Sequence, residues 1–399
     1  MIKVAVLAYY NTNALNGAAL YAKRFVTYKK IFQDSDIDIN LYDMNSHKNS
    51  VELKINEEQN RKNELAYMSS KQYKLKKNIK MILRCTRWGN QIYLYFAWVR
   101  HGKRVVYLNK EQLYKADIIL SNDIWTAYYA LELFPEKKVY IILHNNGDIF
   151  KMLQMELPKL KGTKAWRMLE KMRDKVYKNA ERIIFVANTA KAYFKRCYPQ
   201  YSQKTVYVPV GIECREKFKN RTYDTLRLVC VGTVCPRKNQ IGIIKALNEI
   251  SDKSIHLIVV GTGSDFELCQ SYIKNHEMKN VEMVGAVDDV NVYLEKSNVF
   301  ISASLDEGLP AVAIEALRSG LPVILTDAGG CRELVRNNGY LIPCGDKEAL
   351  IKAIKDLKDK RDRIDEFSRN SRIIFENEFS IDRMINIYCD LFKESMISY

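Results

Sequence analysis

The sequence contains no apolar run that could cross a lipid bilayer. Its most apolar stretch, Ile92–Val99, is far shorter than the ~20 residues that a transmembrane helix needs. The N-terminal stretch Met1–Asn13 has a short apolar run and no small-residue cleavage site behind it, so it is interpreted as a first strand and not as a secretion signal. These absences favour a globular protein without a membrane span.

The cysteines show no pattern of a disulfide framework or of a metal site. There are nine, an odd number, and none forms a C-x-x-C pair or has metal-ligand spacing with the five histidines. We therefore expect a protein of the reducing cytoplasm.

Acidic residues are scarce in the N-terminal half. The chain of 399 residues carries 63 Lys and Arg against 47 Asp and Glu, a net charge of +16. Residues 1–211 contain 37 basic and 18 acidic residues (+19), whereas residues 212–399 contain 26 and 29 (−3). An excess of this kind predicts anionic partners such as nucleic acid, anionic lipid or phosphorylated small molecules. The two halves are expected to have different electrostatic roles.

Short runs rich in Val and Ile alternate with longer segments of helical character. This alternation is typical of parallel sheets covered by helices on both faces. The predicted strands are Val4–Ala8, Ile37–Tyr42, Ile118–Leu120, Val139–Leu143, Ile183–Val186 and Thr205–Val208, then Leu226–Val231, His256–Val260, Val281–Val284, Val299–Ser302 and Pro322–Thr326. Two such series predict an α/β protein of two doubly wound domains.

Proline and glycine interrupt the chain between the two series, at Pro209–Gly211. A charged stretch follows, so we predict a linker at 209–221 between domains at 1–208 and 222–380. The predicted C-terminal helices are Asp346–Leu357, Asp362–Phe375 and Ile381–Phe392, the last with Ser380 as its N-cap.

The segment 302–330 joins a buried strand to a loop, a helix from about Pro310 and a second strand. Because doubly wound sheets bind ligands at the carboxyl ends of strands, we expect the loop to face a ligand and the helix N-terminus to donate N–H groups to an anion. A carboxylate such as Glu315 can accept hydrogen bonds from two adjacent hydroxyls, as a ribose presents. Alone, Glu307 and Glu315 also fit an ordinary helix start. The surrounding pattern EGLP-x4-E decides against that interpretation.

This pattern resembles glycosyltransferase family 4, whose members are retaining enzymes with two Rossmann-like domains, the GT-B fold. The E-x7-E motif of that family matches Glu307 and Glu315, and its neighbouring serine matches Ser304, which the resemblance assigns to the donor site. The resemblance implies that Glu307 contacts hydroxyls of the donor sugar and that Glu315 contacts the ribose diol. It implies backbone contacts to the diphosphate from Gly308, Leu309 and Pro310. It also implies two domains that face each other across a cleft, with 381–399 packing back on the N-terminal domain.

A second loop, Gly232–Lys238, follows a predicted strand and carries two cations. Such a loop can stabilise the negative charge that develops on a diphosphate leaving group, although a solvated basic turn is the alternative. The family resemblance assigns Gly232 to the donor site and Lys238 to the diphosphate. Similar enzymes have Arg where this chain has Thr233, so Arg237 is predicted to replace it.

Four further positions follow from the same resemblance. Gly261 and Gly263 form a G-x-G loop that is predicted to lie under the nucleotide, because glycine allows close approach of a backbone. The third glycine of G-x-G-x-x-G is absent, which argues against a dehydrogenase. His144, at the end of a predicted strand, is expected to orient the donor sugar and not to act as a base. Gly17 corresponds to the glycine-rich loop of the family near the donor phosphate and the acceptor.

The sequence also contains Asp34-Ser35-Asp36, a D-x-D pattern that metal-dependent glycosyltransferases of another fold use to hold a cation on the donor. No second feature supports that role here, and a solvated turn is the favoured interpretation. We expect no catalytic metal, because basic side chains and a helix N-terminus can stabilise the same charge.

From Leu65 to Lys110 the sequence has no Asp or Glu and eleven Lys or Arg residues, with aromatic residues between them. Cations attract anionic headgroups, and Trp and Tyr favour the membrane interface, so peripheral docking on an anionic membrane is one hypothesis. A solvated helix face followed by a core segment is equally compatible. Nucleic-acid binding is disfavoured because no recognition motif accompanies the cations.

The sequence therefore predicts a retaining glycosyltransferase that moves a sugar from a nucleoside-diphosphate sugar, with UDP favoured, to a glycan or lipid-linked saccharide. The resemblance implies polysaccharide or glycoconjugate biosynthesis, in the cytoplasm or on the inner face of the cell membrane. The alternatives are a sugar-nucleotide epimerase or a phosphorylase with the same fold, and a catalytically inactive partner subunit. Thr233 and the single glycine at Gly17 are the features that favour an inactive subunit.

Overall fold

The computed structural model describes residues 1–9, 17–44, 82–83, 85–144, 148–215 and 225–397. These residues form two compact units. The first comprises the described parts of Met1–Phe185, then Tyr193–Tyr207 and the chain from Tyr388 onward; the second comprises Val186–Ala192 and the described parts of Val208–Ile387. Each unit is built on one six-stranded parallel sheet.

The first sheet consists of β1 (Ile2–Leu7), β2 (Ile37–Tyr42), β3 (Ile118–Ser121), β4 (Lys138–Leu143), β5 (Arg182–Phe185) and β6 (Thr205–Tyr207). The strand order is β2-β1-β3-β4-β5-β6, and each neighbouring pair is parallel. Its central strands β3 and β4 are almost entirely buried, because helices cover both faces of the sheet.

The helices of the first unit are Gly17–Thr27, Lys29–Asp34, Arg87–Leu94, Arg100–Leu108, Lys110–Lys115, Ile124–Leu133, Ile149–Glu156 and Lys164–Asn179, with a π-helical turn at Tyr95–Val99 and a 3-10 helix at Pro199–Lys204. Asn188–Cys197 begins in the second unit and ends in the first. Several of these helices start at a capping side chain. Thr86, Asp123, Asp148 and Thr163 each accept a hydrogen bond from a backbone N–H of the first turn.

The last helix, Ile381–Ile397, contributes its second half to the first unit. The hydroxyl of Tyr388 lies 2.9 Å from that of Tyr21, in the helix Gly17–Thr27. Farther along, the ring of Phe392 packs against that of Tyr140 in β4. The end of the chain therefore completes the core of the first unit.

The second sheet consists of β7 (Leu226–Val231), β8 (Ile255–Val260), β9 (Val281–Gly285), β10 (Val299–Ser302), β11 (Val323–Thr326) and β12 (Gly339–Ile342). The order is β12-β11-β10-β7-β8-β9, and the pairs are parallel. Its helices are Gln240–Ile250, Phe266–Asn275, Asn291–Glu295, Ala311–Arg318, Lys347–Asp359 and Asp362–Glu378, with a 3-10 helix at Gly329–Leu334. Ile243, Leu247 and Ile354 are among the helical residues that pack into the core of this sheet.

The two parallel sheets and their helices confirm the predicted doubly wound α/β class. The bounds of β2, β7 and β10 agree with the sequence prediction. In contrast, β12 was not predicted, because it is a four-residue edge strand in which only Ile342 is buried, so no apolar run marks it. The domain boundaries and the linker at 209–221 stay predictions, and residues 216–221 of that linker lie outside the described residues.

No helix in the described part of the chain combines the length and the apolarity that a bilayer span requires.

Candidate active site

Two loops of the second unit meet at the carboxyl edge of its sheet, one after β7 and one after β10. The strands themselves are neighbours, paired through Val299 and Leu228. Beyond the strand ends, the backbone N–H of Leu305 donates to the carbonyl of Arg237 at 2.8 Å, and the guanidinium of Arg237 donates to the carbonyl of Asp306 at 2.6 Å. Residues 69 positions apart in the sequence are thus joined at one edge of the sheet.

The two loops bring a carboxylate and two cations together. The Lys238 ammonium donates a hydrogen bond to Glu307 Oε1, and Arg237 Nη1 lies 3.2 Å from Glu307 Oε2. Glu307 is only 7% exposed, so its charge depends on these partners. Two positive charges surround one negative charge, which leaves the cluster with a net charge of +1.

The electrostatics of Glu307 favour its ionised form. Burial raises the pKa of the Glu307 carboxyl, but the charges of Lys238 and Arg237 and the hydrogen bond from Lys238 lower it. The Ser304 hydroxyl, which hydrogen-bonds to the carboxylate, adds to this effect. The net pKa therefore lies below the usual range, and Glu307 is a carboxylate at neutral pH.

Ser304 lies inside the protein and holds the loop. Its side chain is fully buried, and its hydroxyl lies 3.0 Å from that of Ser302. Its carbonyl accepts a hydrogen bond from the hydroxyl of Thr326, in β11. The structure thus places the Ser304 hydroxyl against the Glu307 carboxylate, and this hydrogen bond positions Glu307.

Gly308, Leu309 and Pro310 lead from Glu307 into the helix Ala311–Arg318. The carbonyl of Gly308 accepts a hydrogen bond from Gly330 N at 2.7 Å, and Leu309 is buried, so the segment is held from both sides. Pro310 is the N-cap residue, and the first N–H groups of a helix have no acceptor within it. This end of the helix can therefore donate hydrogen bonds to an anion.

Glu315 lies in the second turn of that helix and is half-buried. It lies near Arg318, which is buried and whose Nη1 donates to Glu213 O at 3.4 Å. Burial lowers the pKa of Arg318, and the charge of Glu315 opposes that effect. Glu315 thus lies beside a buried arginine, eight residues after Glu307 in the sequence.

Gly232, Gly261 and Gly263 have a steric reason to be glycine. A Cβ at Gly261 would lie 2.0 Å from the carbonyl oxygen of Gly232, and one at Gly263 would lie 2.1 Å from that of Val234. Gly232 and Gly261 also have φ values of 145° and 133°, which side chains rarely adopt. These glycines let the loops after β7 and β8 pack backbone against backbone, joined by the hydrogen bond from Val234 N to Thr262 O at 2.9 Å. Their contact with a nucleotide stays a prediction.

The first unit carries His144 at the carboxyl end of β4. Its Nε2 lies 2.5 Å from Asn122 Oδ1, while the amide nitrogen of Asn122 donates to Ala18 O at 3.0 Å. Since the Asn122 nitrogen must donate to the Ala18 carbonyl, the Asn122 oxygen is the atom that faces the imidazole of His144. An amide oxygen only accepts hydrogen bonds, so the proton of His144 lies on Nε2. Burial, and secondly the charge of Arg24, lower the pKa of His144 to about 4. His144 is therefore neutral at pH 7.

Gly17 begins the helix Gly17–Thr27, and a Cβ there would meet no atom within 4 Å. Its packing alone does not require glycine. Thr233, which stands where similar enzymes have arginine, is exposed, and its carbonyl accepts from the side-chain amide of Gln240 at 3.0 Å. The guanidinium of Arg237, four residues later in the same loop, contacts Glu307 instead of an arginine at position 233.

Sequence reasoning missed Asn122 and Asp123, which follow β3. Asp123 accepts hydrogen bonds from Thr126 N at 2.8 Å and Tyr9 N at 3.1 Å, so it caps a helix and ties β1 to β3. Burial raises the pKa of Asp123 to about 6, although these hydrogen bonds oppose the rise. The signal was present in the sequence, since an Asp between an apolar strand and an apolar helix is a typical N-cap.

The D-x-D pattern is part of a turn. Asp34 ends the helix Lys29–Asp34, and Asp36 has a φ of 64° before its carbonyl accepts from Ile2 N at 2.7 Å. Within the residues that the structure describes, no group of three or more His, Cys, Asp or Glu side chains has an arrangement that could hold a metal ion.

The whole chain resembles several solved structures. It matches sucrose-phosphate synthase from Thermosynechococcus elongatus with a TM-score of 0.73 and 15% identity, and HepE of Anabaena in complex with UDP and glucose with a TM-score of 0.67 and 14% identity. Both matches cover 100% of each chain. The fold is GT-B.

The second half of this GT-B chain also matches a family by sequence. Residues 214–373 match the model of the Glycosyl transferases group 1. The matched segment contains Lys238, Glu307 and Glu315, so it includes both loops of the carboxylate–cation cluster.

Curated relatives match over similar lengths. A UDP-Gal:alpha-D-GlcNAc-diphosphoundecaprenol alpha-1,3-galactosyltransferase of Escherichia coli is 26% identical over 197 residues, 47% of this chain and 50% of that protein. The amylovoran biosynthesis glycosyltransferase AmsD of Erwinia amylovora is 27% identical over 190 residues, 45% of this chain and 53% of that protein. The chain thus spans about half the length of these relatives.

Proposed function

We propose that this protein is a retaining glycosyltransferase of the family 4 type, which transfers a sugar from a UDP-sugar to a glycan or a lipid-linked saccharide. The observation that carries the proposal is the cluster of Lys238 and Arg237 around the buried carboxylate of Glu307. The names of similar proteins support the substrates: one relative is named for UDP-Gal and a diphosphoundecaprenol acceptor, and HepE was solved with UDP and glucose.

The cations of this cluster suit a diphosphate leaving group. When the bond between the sugar C1 and the diphosphate oxygen breaks, negative charge develops on that oxygen, and preorganised positive groups stabilise it most strongly. Lys238 and Arg237 outnumber the one carboxylate and thus leave positive charge for the ligand. The N–H groups at the start of the helix Ala311–Arg318 add to it. We propose that these groups make a metal ion unnecessary.

In the proposed reaction the acceptor hydroxyl attacks the face of the sugar that the diphosphate leaves. The C1–O bond to the diphosphate breaks, a C1–O bond to the acceptor forms, and the hydroxyl proton passes to the departing phosphate. We assign Glu307 to the hydroxyls of the donor sugar and Glu315 to the ribose diol. Neutral His144 donates through Nε2 to Asn122 and keeps the lone pair of Nδ1 to accept a hydroxyl of the sugar.

The proposal is tested by replacing each residue of the ion pair between Glu307 and Lys238. Glu307→Ala and Lys238→Ala should each abolish transfer in the purified full-length chain while both variants stay folded. Lys347→Ala is the matched control, because Lys347 forms an exposed ion pair with Glu249 in the same unit. A thermal-shift panel of sugar nucleotides first identifies the donor, since a ligand at 100 times its Kd stabilises the fold by about 2.7 kcal/mol. Near-normal turnover in both site variants would contradict the mechanism.

The alternatives are separated by simple incubations. An epimerase would convert a sugar nucleotide without an acceptor, and an inactive partner subunit would release no nucleotide with any acceptor. Thr233, in place of the arginine of similar enzymes, favours an inactive subunit, whereas the contact of Arg237 with Glu307 supplies the missing cation and favours an active enzyme.

We also propose a cytoplasmic location with peripheral attachment to an anionic membrane. A lipid-linked acceptor would require the enzyme to work at the membrane surface. The predicted basic segment 65–110 falls partly outside the described residues, which include 82–83 and 85–110 of it.

A further inference from the structure

Three consecutive helical segments form one continuous rod on the first unit: Arg87–Leu94, the π-helical turn Tyr95–Val99 and Arg100–Leu108. Large apolar side chains stand on its solvent side. Trp88 is 77% exposed and Phe96 is 51% exposed. The other exposed apolar residues of the rod are Ile92, Tyr95, Tyr107 and Leu108.

The inner side of this rod is fixed by packing. Gly102 lies so close to the helix Ile124–Leu133 that a Cβ would be 2.5 Å from Trp125 Cβ. Leu94 and Val99, both buried, are five residues apart because the π-helical turn adds one residue between them. The rod therefore cannot rotate to bury its aromatic residues within its own unit.

Cations lie among the exposed aromatic residues. Arg100, Lys103 and Arg104 are exposed, with the Arg100 guanidinium 5.5 Å from the centre of the Phe96 ring and the Lys103 ammonium 5.4 Å from that of Tyr107. Between residues 85 and 115 the sequence contains one acidic residue, Glu111. An exposed aromatic surface with a nearly pure positive charge is unusual for a surface that meets only water.

We propose that this aromatic–basic face, formed by Trp88, Phe96, Arg100, Lys103, Arg104 and Tyr107, docks on an anionic phospholipid bilayer. The arrangement matches an interfacial helix, in which cations meet phosphate headgroups and Trp, Tyr and Phe enter the boundary between headgroups and acyl chains. The inference deepens the proposed function by naming the surface for its membrane partner. It depends on that function for its biological setting only, because the docking itself needs no sugar transfer.

The charge contribution is tested by vesicle sedimentation of the full-length chain. Vesicles of phosphatidylcholine alone are compared with vesicles that also contain phosphatidylglycerol, at low and high salt. Arg100→Gln/Lys103→Gln/Arg104→Gln should weaken binding to the anionic vesicles roughly a hundred-fold, since each cation near the surface contributes about 1 kcal/mol and 1.4 kcal/mol is tenfold. The control Lys164→Gln/Arg167→Gln/Lys171→Gln removes three exposed cations from another helix of the same unit and should bind like the parent.

The aromatic contribution is tested by Trp88→Ser/Phe96→Ser, which should lose the binding that persists at high salt. The control Leu268→Ser/Ile373→Ser removes two comparably exposed apolar residues from the second unit and should keep it. Tryptophan fluorescence should shift to shorter wavelength on anionic vesicles, and Trp88→Phe should abolish most of that shift.

Several outcomes would overturn the inference. Equal binding to neutral and anionic vesicles, or equal losses in the control variants, would show that the face does not recognise an anionic bilayer. Tighter retention on single-stranded RNA than on anionic vesicles would indicate a nucleic-acid surface. A dimer in solution that Trp88→Ser/Phe96→Ser converts to a monomer, with unchanged vesicle binding, would indicate an interface between two copies of the chain. Sugar-nucleotide binding by thermal shift is measured on every variant. Lost vesicle binding with intact nucleotide binding separates the membrane surface from the donor site, and absent nucleotide binding in the parent contradicts only the proposed transfer.

Discussion

The carboxyl edges of the two sheets hold buried polar side chains in different electrostatic surroundings. At the second sheet burial raises the pKa of Glu307, but the charges of Lys238 and Arg237 and the hydrogen bonds from Lys238 and Ser304 together outweigh burial, so the pKa lies below its ordinary value. At the first sheet burial prevails: the pKa of His144 falls to about 4 and that of Asp123 rises to about 6. Opposite charges at contact distance therefore decide whether burial or pairing sets the pKa. The carboxyl edge of the second sheet is built to meet a charged ligand, whereas His144 at the carboxyl edge of the first sheet makes neutral hydrogen bonds.

The largest expected effect comes from removing the negative charge of the second edge. Glu307→Gln should lower kcat/KM for transfer by roughly 10²–10³-fold, as for loss of a group that acts on the transition state. The same change should tighten UDP binding about ten-fold, because the carboxylate no longer competes with the diphosphate for Lys238 and Arg237. Transfer rates and calorimetric UDP titrations check both directions.

Glu249→Gln provides the control for this experiment. Glu249 pairs with Lys347 on the surface of the same unit, and both side chains are about half exposed. Exposed pairs contribute little, so the stability change should stay below about 1 kcal/mol and transfer should be unchanged. If Glu307→Gln weakened UDP binding as well as transfer, Glu307 would be holding the cations in place and not competing for them.

The glycines of the two edges offer a second contrast. Gly261→Ala should destabilise the second unit by about 3 kcal/mol, because its φ is positive and its Cβ would overlap the Gly232 carbonyl. Gly17→Ala, with open space around the new Cβ, should change stability by less than about 1 kcal/mol. Urea unfolding of the two variants gives both values. Equal losses would contradict the packing role of Gly261.

The titrations of His144 and Asp123, at the carboxyl edge of the first sheet, should change the stability of the fold in opposite directions. The pKa of His144 is lower in the folded chain than its ordinary value of 6.5, so the unfolded chain binds more protons between about pH 4 and 6.5, and this contribution to stability falls as the pH is lowered. The pKa of Asp123 is higher in the folded chain than its ordinary value of 3.8, so its contribution to stability is lost as the pH rises towards 6. The two contributions partly cancel in the parent chain.

Single substitutions should reveal each contribution. Asp123→Asn keeps a capping side chain and removes only the contribution of Asp123, so from pH 6.5 to 4 it should lose up to about 3 kcal/mol more stability than the parent chain. His144→Gln removes only the contribution of His144, so over the same range it should lose less stability than the parent chain. Urea unfolding of the parent and both variants across this pH range measures the two differences, and differences of the same sign would refute the assignment.

The sequence predicted the strands well but could not explain the site glycines. Buried parallel strands are marked by apolar runs, which is why β7 and β10 were found with their bounds. The contact of Gly261 with Gly232 joins two separate loops, and no local pattern encodes such an approach. Ser304 was predicted from a motif to bind the donor, and its burial against Glu307 is visible only in three dimensions. Pairings across the sheet edge depend on topology, so a motif identifies the residues but not their partners.

The smallest expected effect concerns the hydrogen bond from Thr326 that holds the loop of Ser304 and Glu307. Thr326→Val removes the hydroxyl that donates to Ser304 O and keeps the side-chain shape, so it should cost about 1 kcal/mol of stability. Thr205→Val is its match in the first unit, where the Thr205 hydroxyl donates to Ser202 O at 2.7 Å. Both variants should lose similar stability in urea, but only Thr326→Val should also lower the transfer rate, by a few-fold, because Ser304 positions Glu307. An equal loss of transfer in both variants would show that stability, and not the orientation of Glu307, sets the rate.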